Sequence, residues 1–173
     1  MPAVAPARFS AVSTQRPVDL QAVLAVSPEE LLERGRARGS ESGNLYAGSF
    51  YPPEAWALVQ AGAVQLVDVR TAEELKFVGH VPGSLHVAWQ TGPAMIKNPR
   101  FLRELETKVV RAKPVVLLCR SGKRSAAAAT AATAAGFAQV FNVLEGFEGD
   151  QDAQRQRGES GSWRHWNLPW IQD

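Results

Sequence analysis

Apolar residues in this chain fall into short runs whose period changes from one segment to the next. Residues 64–69 (VQLVDV) are apolar at four of six positions and bounded by Gly62 and Thr71, the pattern of a short strand. Residues 115–118 (VVLL) are apolar without a break, as a strand buried on both faces requires. Residues 84–89 and 139–143 supply two further strand candidates. Between these runs the period lengthens. Pro52, Pro53 and Glu54 open a helix that carries Trp56, Leu58 and Val59 and closes at Gly62. Residues 71–75 read as a helical turn, and residues 101–110 place apolar side chains at 101, 102, 105 and 109, a helical spacing. Residues 125–135 are almost entirely alanine and threonine, which predicts a helix slim enough to lie close on a sheet.

Strands alternating with helices predict an α/β layer structure with a mostly parallel sheet, because parallel strands need crossover helices. The first quarter of the chain reads differently. Ser27, Pro28 and Glu30 form a capping signature for a short helix through Leu31, Leu32 and Glu33. Residues 35–44, rich in Gly, Ser and Arg, read as a linker or exposed loop, and residues 1–26 lack a sustained period and read as poorly ordered. The expected organisation is an N-terminal extension over residues 1–43, with one short helix and partial disorder, followed by one domain over residues 44–173.

Composition narrows the function. A chain of 173 residues can bury a core without metals or disulfides, and its single cysteine cannot form an internal disulfide, which fits a reducing compartment. A net charge of +2 gives no general footprint for nucleic acid, so any electrostatic function is local. No apolar stretch approaches the roughly 18 residues of a membrane helix, and the N-terminus lacks the apolar core of a secretory signal. Residues 1–20 carry Arg8 and Arg16 with no acid before Asp19, a composition shared with organellar transit peptides. The expectation taken here is a cytoplasmic protein with a disordered tail, no membrane or nucleic-acid partner, no cofactor and no metal site.

The one cysteine stands in VVLLCRSGKRS, at the carboxyl end of a predicted central strand and just before the alanine-rich helix, where ligands bind in open α/β sheets. The helix N-terminus and three nearby cations, Arg120, Lys123 and Arg124, favour the thiolate of Cys119. Gly122 allows the loop to curl so that successive N–H groups converge on one point and form an anion nest. Taken singly, a cysteine after an aliphatic run is more often a small buried hydrophobe, and a cluster of cations is more often a solvated loop. Their coincidence at a strand-to-helix junction points to chemistry.

The chain resembles the rhodanese family of sulfurtransferases. CRSGKRS is joined by Asp68, Val69 and Arg70, then Glu74, then Gly79 to Ser84 (GHVPGS), which resemble the family's DVR…E…GHIPGA stretch; Trp163 with Leu168 and Pro169 resembles its closing W…GLP. The resemblance implies a three-layer α/β domain with a central, mostly parallel sheet of about five strands flanked by helices. It implies Cys119 as the sulfur acceptor and Arg120, Ser121, Gly122, Lys123, Arg124 and Ser125 as the loop that binds substrate, with Ser125 capping the helix. Asp68, Arg70 and Glu74, with His80, are expected to brace the fold. The implied reaction moves sulfane sulfur from a small anionic donor such as thiosulfate to cyanide, a thiol or a protein acceptor through a Cys119 persulfide.

Three departures from the family pattern stand out. One extra residue lies between Glu74 and Gly79 and is assigned to a turn at Lys76 and Phe77. Residues 147–162 form a polar insertion, read either as a lid or docking surface or as a solvated excursion. Asn167 replaces the usual glycine before Leu168, which suits a left-handed backbone. Two rival functions remain: a non-catalytic binding or sulfide-sensing module, and a phosphatase or arsenate reductase. The four residues between Cys119 and Arg124, one fewer than in phosphatase loops, favour sulfur over the second.

Overall fold

The computed structural model describes residues 12–173; the expectation of disorder over residues 1–11, Arg8 included, lies outside them. Five parallel strands form the central sheet: β1 (Gly48–Phe50), β2 (Gln65–Asp68), β3 (Leu85–His86), β6 (Val115–Leu118) and β7 (Val140–Val143), in the order β1-β7-β6-β2-β3. A small antiparallel hairpin, β4 (Gln90–Thr91) and β5 (Ile96–Lys97), stands apart. The helices are α1 (Leu20–Leu24), α2 (Pro28–Ser42), α3 (Pro52–Gln60), α4 (Ala72–Val78), α5 (Phe101–Lys108) and α6 (Lys123–Ala134). No helix among the described residues is long and apolar enough to cross a membrane.

The sheet separates two cores, and the strand period of two assigns each residue to one of them. Leu66, Val116, Leu118, Phe141 and Val143 face Leu31 of α2, Ala55 and Leu58 of α3, and Trp163 and Leu168 of the C-terminal segment. Val67, Val115, Leu117, Cys119 and Val140 face Phe101 and Leu105 of α5 and Ala128, Ala129 and Ala132 of α6. The small side chains of α6 let it lie close to the sheet, and β6 is flanked by β2 and β7, so its carboxyl end opens at the centre of the molecule.

Three local expectations fail, for physical reasons. Residues 20–24, read as part of a poorly ordered stretch, form α1, because Asp19 caps it by accepting from the Gln21 N–H and Val23 packs into the core. The helix opened by Ser27 does not end near Glu33; α2 runs for 15 residues through Gly35 and Gly39 to Gly43, which caps it at φ 64°. Glycine inside a helix costs about 1 kcal/mol relative to alanine, but here it permits a close approach. A Cβ on Gly35 would lie 2.3 Å from the Phe50 ring, and one on Gly39 would lie 2.7 Å from the backbone of Ala47 and Gly48. The segment read as a linker is the helix that covers β1. The supposed turn at Lys76 and Phe77 is also helical: Thr71 accepts from the Glu74 N–H, Glu74 accepts from the Thr71 N–H, and this reciprocal cap starts a helix that continues to Val78. Asn167 does take a left-handed backbone, with φ 53°.

Candidate active site

Cys119 follows the last residue of β6, and the chain turns through Arg120, Ser121 and Gly122 into α6. Gly122, at φ 94°, occupies the helix N-cap, a backbone conformation that other residues rarely adopt. This turn brings the Gly122 N–H to 3.1 Å from Cys119 Sγ. Ser125 Oγ lies at the same distance from the sulfur and 2.5 Å from Asn142 Oδ1. Ser125 is therefore not the helix cap expected from sequence. Gly122 takes that position, and the serine, one turn into α6, points back at the sulfur. Cys119 itself is 1% exposed, so its sulfur sits at the floor of the loop.

The carbonyl side of the loop is held as firmly. Phe147 N–H donates to Cys119 O at 2.8 Å, and Glu148 and Gly149 N–H donate to Arg120 O at 2.9 and 3.0 Å. Gly146 makes this possible, because a Cβ there would fall 2.4 Å from Arg120 O. The insertion thus begins by gripping the loop. It continues as a compact turn in which Asp152 Oδ1 accepts from the Gln154 and Gln156 N–H groups and Arg157 Nη1 donates to Gly149 O. Asp150, Gln151 and Arg157 then line a cavity of about 500 Å³ together with Arg120, Ser121 and Lys123.

The three cations of the loop are not equivalent. Arg124 makes a two-pronged ion pair with Glu74, at 2.8 and 2.7 Å. Burial alone would raise the Glu74 carboxyl, but the hydrogen bonds from Arg124 and the Thr71 N–H outweigh it and hold the group at about 2. Arg124 is pushed up in turn: burial opposes its charge, and the bond to Glu74 overcomes that. Lys123 is exposed and lies a loose 3.7 Å from Asp150. Arg120 has a buried Nε with no hydrogen-bond partner among the described residues. Arg120 and Lys123 are the cations left uncommitted.

The other expected residues sit beside the site. Arg70, buried like Asp68, holds it with both prongs of its guanidinium, donates from Nη2 to Gly79 O at 2.8 Å, and lies 4.2 Å over the Phe147 ring. His80 exchanges backbone hydrogen bonds with Ile171, and His86 Nε2 lies 2.8 Å from Arg70 O.

The family model for the rhodanese-like domain matches residues 51–153, more than half of the chain. The chain belongs to the rhodanese-like domain family. A crystal structure of Rv0390 from M. tuberculosis is 42% identical, with a TM-score of 0.67, and its match covers 74% of this chain and 99% of that one. The rhodanese-like domain of Alr3790 from Anabaena sp is 12% identical, with a TM-score of 0.53 over 72% of this chain and 79% of that one, a likeness of fold. Senescence-associated protein DIN1 of Raphanus sativus is 36% identical over 42% of this chain, and the match spans 39% of its own length. The five-stranded parallel sheet flanked by helices is the fold of this family.

Within this rhodanese-like domain, sequence reading overlooked Asn142, and it named Arg157 only among the charged residues of the insertion. Asn142 had a signal, a single amide within the apolar run VFNV of β7. What the sequence did not show is how Arg157 reaches the loop, which the turn at Asp152 brings about.

Proposed function

We propose that this rhodanese-like domain is a sulfurtransferase that carries sulfane sulfur on Cys119. The observation that carries the reading is the sulfur's surroundings: the chain's one thiol stands at the carboxyl end of the central strand, with a backbone N–H and a hydroxyl each 3.1 Å from Sγ. An inert buried cysteine needs no such donors. Rhodanese-like domains often transfer sulfur, and some members are not catalytic, so the family alone does not decide.

In the proposed reaction the Cys119 thiolate attacks the outer sulfur of thiosulfate. A new S–S bond forms on Cys119, the S–S bond of thiosulfate breaks, and sulfite leaves with the electron pair. The negative charge now rests on the outer sulfur of the persulfide, at the mouth of the loop, where backbone N–H groups and the α6 N-terminus favour an anion. Arg120 and Lys123, the uncommitted cations, draw in the anionic donor, while Arg124, tied to Glu74, fixes the loop to α4. Asp68 and Arg70 act as a brace between the sheet and the segment at Gly79. A thiolate or cyanide then attacks the outer sulfur, breaks its bond to Sγ and restores the Cys119 thiolate. No metal or organic cofactor enters these steps, and with one cysteine the acceptor is an external molecule.

Thiocyanate formation from thiosulfate and cyanide tests the reading. It is expected to show parallel-line, ping-pong kinetics and to vanish in Cys119→Ser. The 1% exposure of Cys119 favours the rival, a binding module in which the thiol is core. Equal, background-level rates in parent and variant with thiosulfate and with persulfide donors would establish that rival.

A further inference from the structure

Asn142 is out of keeping with its strand. Val140, Phe141 and Val143 are fully buried, and Asn142 is 3% exposed among them. A buried amide among aliphatic side chains is costly unless partners are built for it. Here both partners belong to the sulfur cradle. Nδ2 donates to Gly122 O at 3.2 Å, and Oδ1 lies 2.5 Å from Ser125 Oγ. Among the described residues, Gly122 and Ser125 are the two that hydrogen-bond to Cys119 Sγ. One amide therefore holds both of the sulfur's neighbours from behind.

Counting protons gives this arrangement a consequence. A serine hydroxyl has one proton, and Ser125 Oγ has two acceptors beside it, Asn142 Oδ1 and Cys119 Sγ. Turning the amide over would not help, because it would set Oδ1 against the Gly122 carbonyl oxygen. With a neutral thiol every contact is satisfied in series: S–H donates to Oγ, and Oγ–H donates to Oδ1. With a thiolate, the hydroxyl must rotate toward sulfur, and Oγ and Oδ1 are left face to face without a proton between them.

We infer that Asn142 is a positioning residue that takes the Ser125 proton whenever Sγ carries no negative charge and competes with the sulfur for it whenever Sγ does. The inference rests on reading Cys119 as the reacting sulfur. Over one transfer cycle the charge leaves Sγ for the outer sulfur as the persulfide forms, and returns to Sγ when the acceptor takes that sulfur. The hydroxyl turns to Asn142 in the persulfide and back to Sγ as the thiolate is released. No proton enters or leaves; one O–H bond rotates. The charged groups around the sulfur are Arg120, Lys123 and Arg124 of its own loop and helix, Asp150 and Arg157 of the insertion packed on that loop, Glu74 of α4 through Arg124, and Asp68 with Arg70 at the end of β2. Asn142 is neutral, so replacing it leaves all of them in place.

Cys119 is the chain's one thiol, so its alkylation rate by iodoacetamide against pH reports its ionisation whether or not the chain transfers sulfur. Asn142→Leu, close in shape and suited to an apolar strand, is expected to lower the midpoint by about 0.7 pH unit, the equivalent of one ordinary competing hydrogen bond. Ser125→Ala is expected to raise it by a similar amount, and the double variant to match Ser125→Ala alone, because Asn142 acts through the hydroxyl. Asn142→Asp, which adds a carboxylate behind the serine, is expected to raise it further. A raised or unchanged midpoint in an Asn142→Leu protein whose circular dichroism and melting match the parent overturns the inference. If that variant does not fold, an unchanged midpoint in Asn142→Asp overturns it instead. The expected shifts in a protein that moves no sulfur would sink the proposed function and leave the placement of Asn142 standing.

Discussion

Arg38, between α2 and α3, and the cations of the Cys119 loop are wired in opposite ways. Between α2 and α3, Arg38 donates to both oxygens of Glu54 at 2.7 Å and to the carbonyls of Ser49, Thr14 and Gln15, so every prong of its guanidinium is used. Both side chains are buried. At the Cys119 loop, among the described residues, only Arg124 has a full carboxylate partner, while Arg120 Nε has none and Lys123 reaches Asp150 loosely in solvent. The difference separates two uses of one residue type. A cation held two-pronged by a carboxylate, as Arg38, Arg70 and Arg124 are, locks elements together; a cation without such a partner has affinity to offer a ligand.

The largest effect that sharpens this contrast is on stability. Glu54→Gln leaves the Arg38 charge buried without its counter-ion and is expected to cost about 3–5 kcal/mol, read as a lowered denaturant midpoint. Arg120→Gln is expected to change stability by under about 0.5 kcal/mol. Equal losses in the two variants would break the distinction.

The Arg124–Glu74 pair stands between the extremes and titrates. Glu74 is held at about 2, against an ordinary value of 4.5 in the unfolded chain. A depressed carboxyl contributes stability that is fully present above the unfolded value and is lost as pH falls through the folded one. With solvent screening of this partly exposed pair the contribution is on the order of 1–2 kcal/mol, lost between pH 4.5 and 2. Glu74→Gln should be less stable than the parent at pH 7, with the gap closing toward pH 2. A constant gap would show that the ion pair is not what is lost.

The smallest expected effect is kinetic. Arg120→Gln and Lys123→Gln are each expected to lower kcat/KM for thiosulfate about tenfold, the worth of one charge-assisted hydrogen bond, with the loss shrinking as salt is raised. A salt-independent loss would assign them to the shape of the loop rather than to attraction of the donor.

The reach of the sequence follows the range of the interactions. Strands β2, β6 and β7 and helices α3, α5 and α6 were legible because their periods are local. The loop from Cys119 to Arg124 was legible because its chemistry is contiguous. Helix α2 was not, since Gly35 and Gly39 are loop residues by propensity and helical only because Phe50 and Gly48 press against them. The role of Ser125 was misread for a related reason: its partners, Cys119 and Asn142, meet only when β6, β7 and α6 are assembled. The insertion looked like a solvated excursion or a lid, yet its first three N–H groups grip the carbonyls of Cys119 and Arg120, a contact set by the left-handed turn at Gly146.

The most direct test of the account is the intact mass of the reduced protein before and after exposure to thiosulfate alone. The parent is expected to gain one sulfur atom and to lose it when cyanide is added, and Cys119→Ser is expected to gain none. A protein that gains no sulfur from thiosulfate or from persulfide donors, with Cys119 reduced throughout, would contradict it.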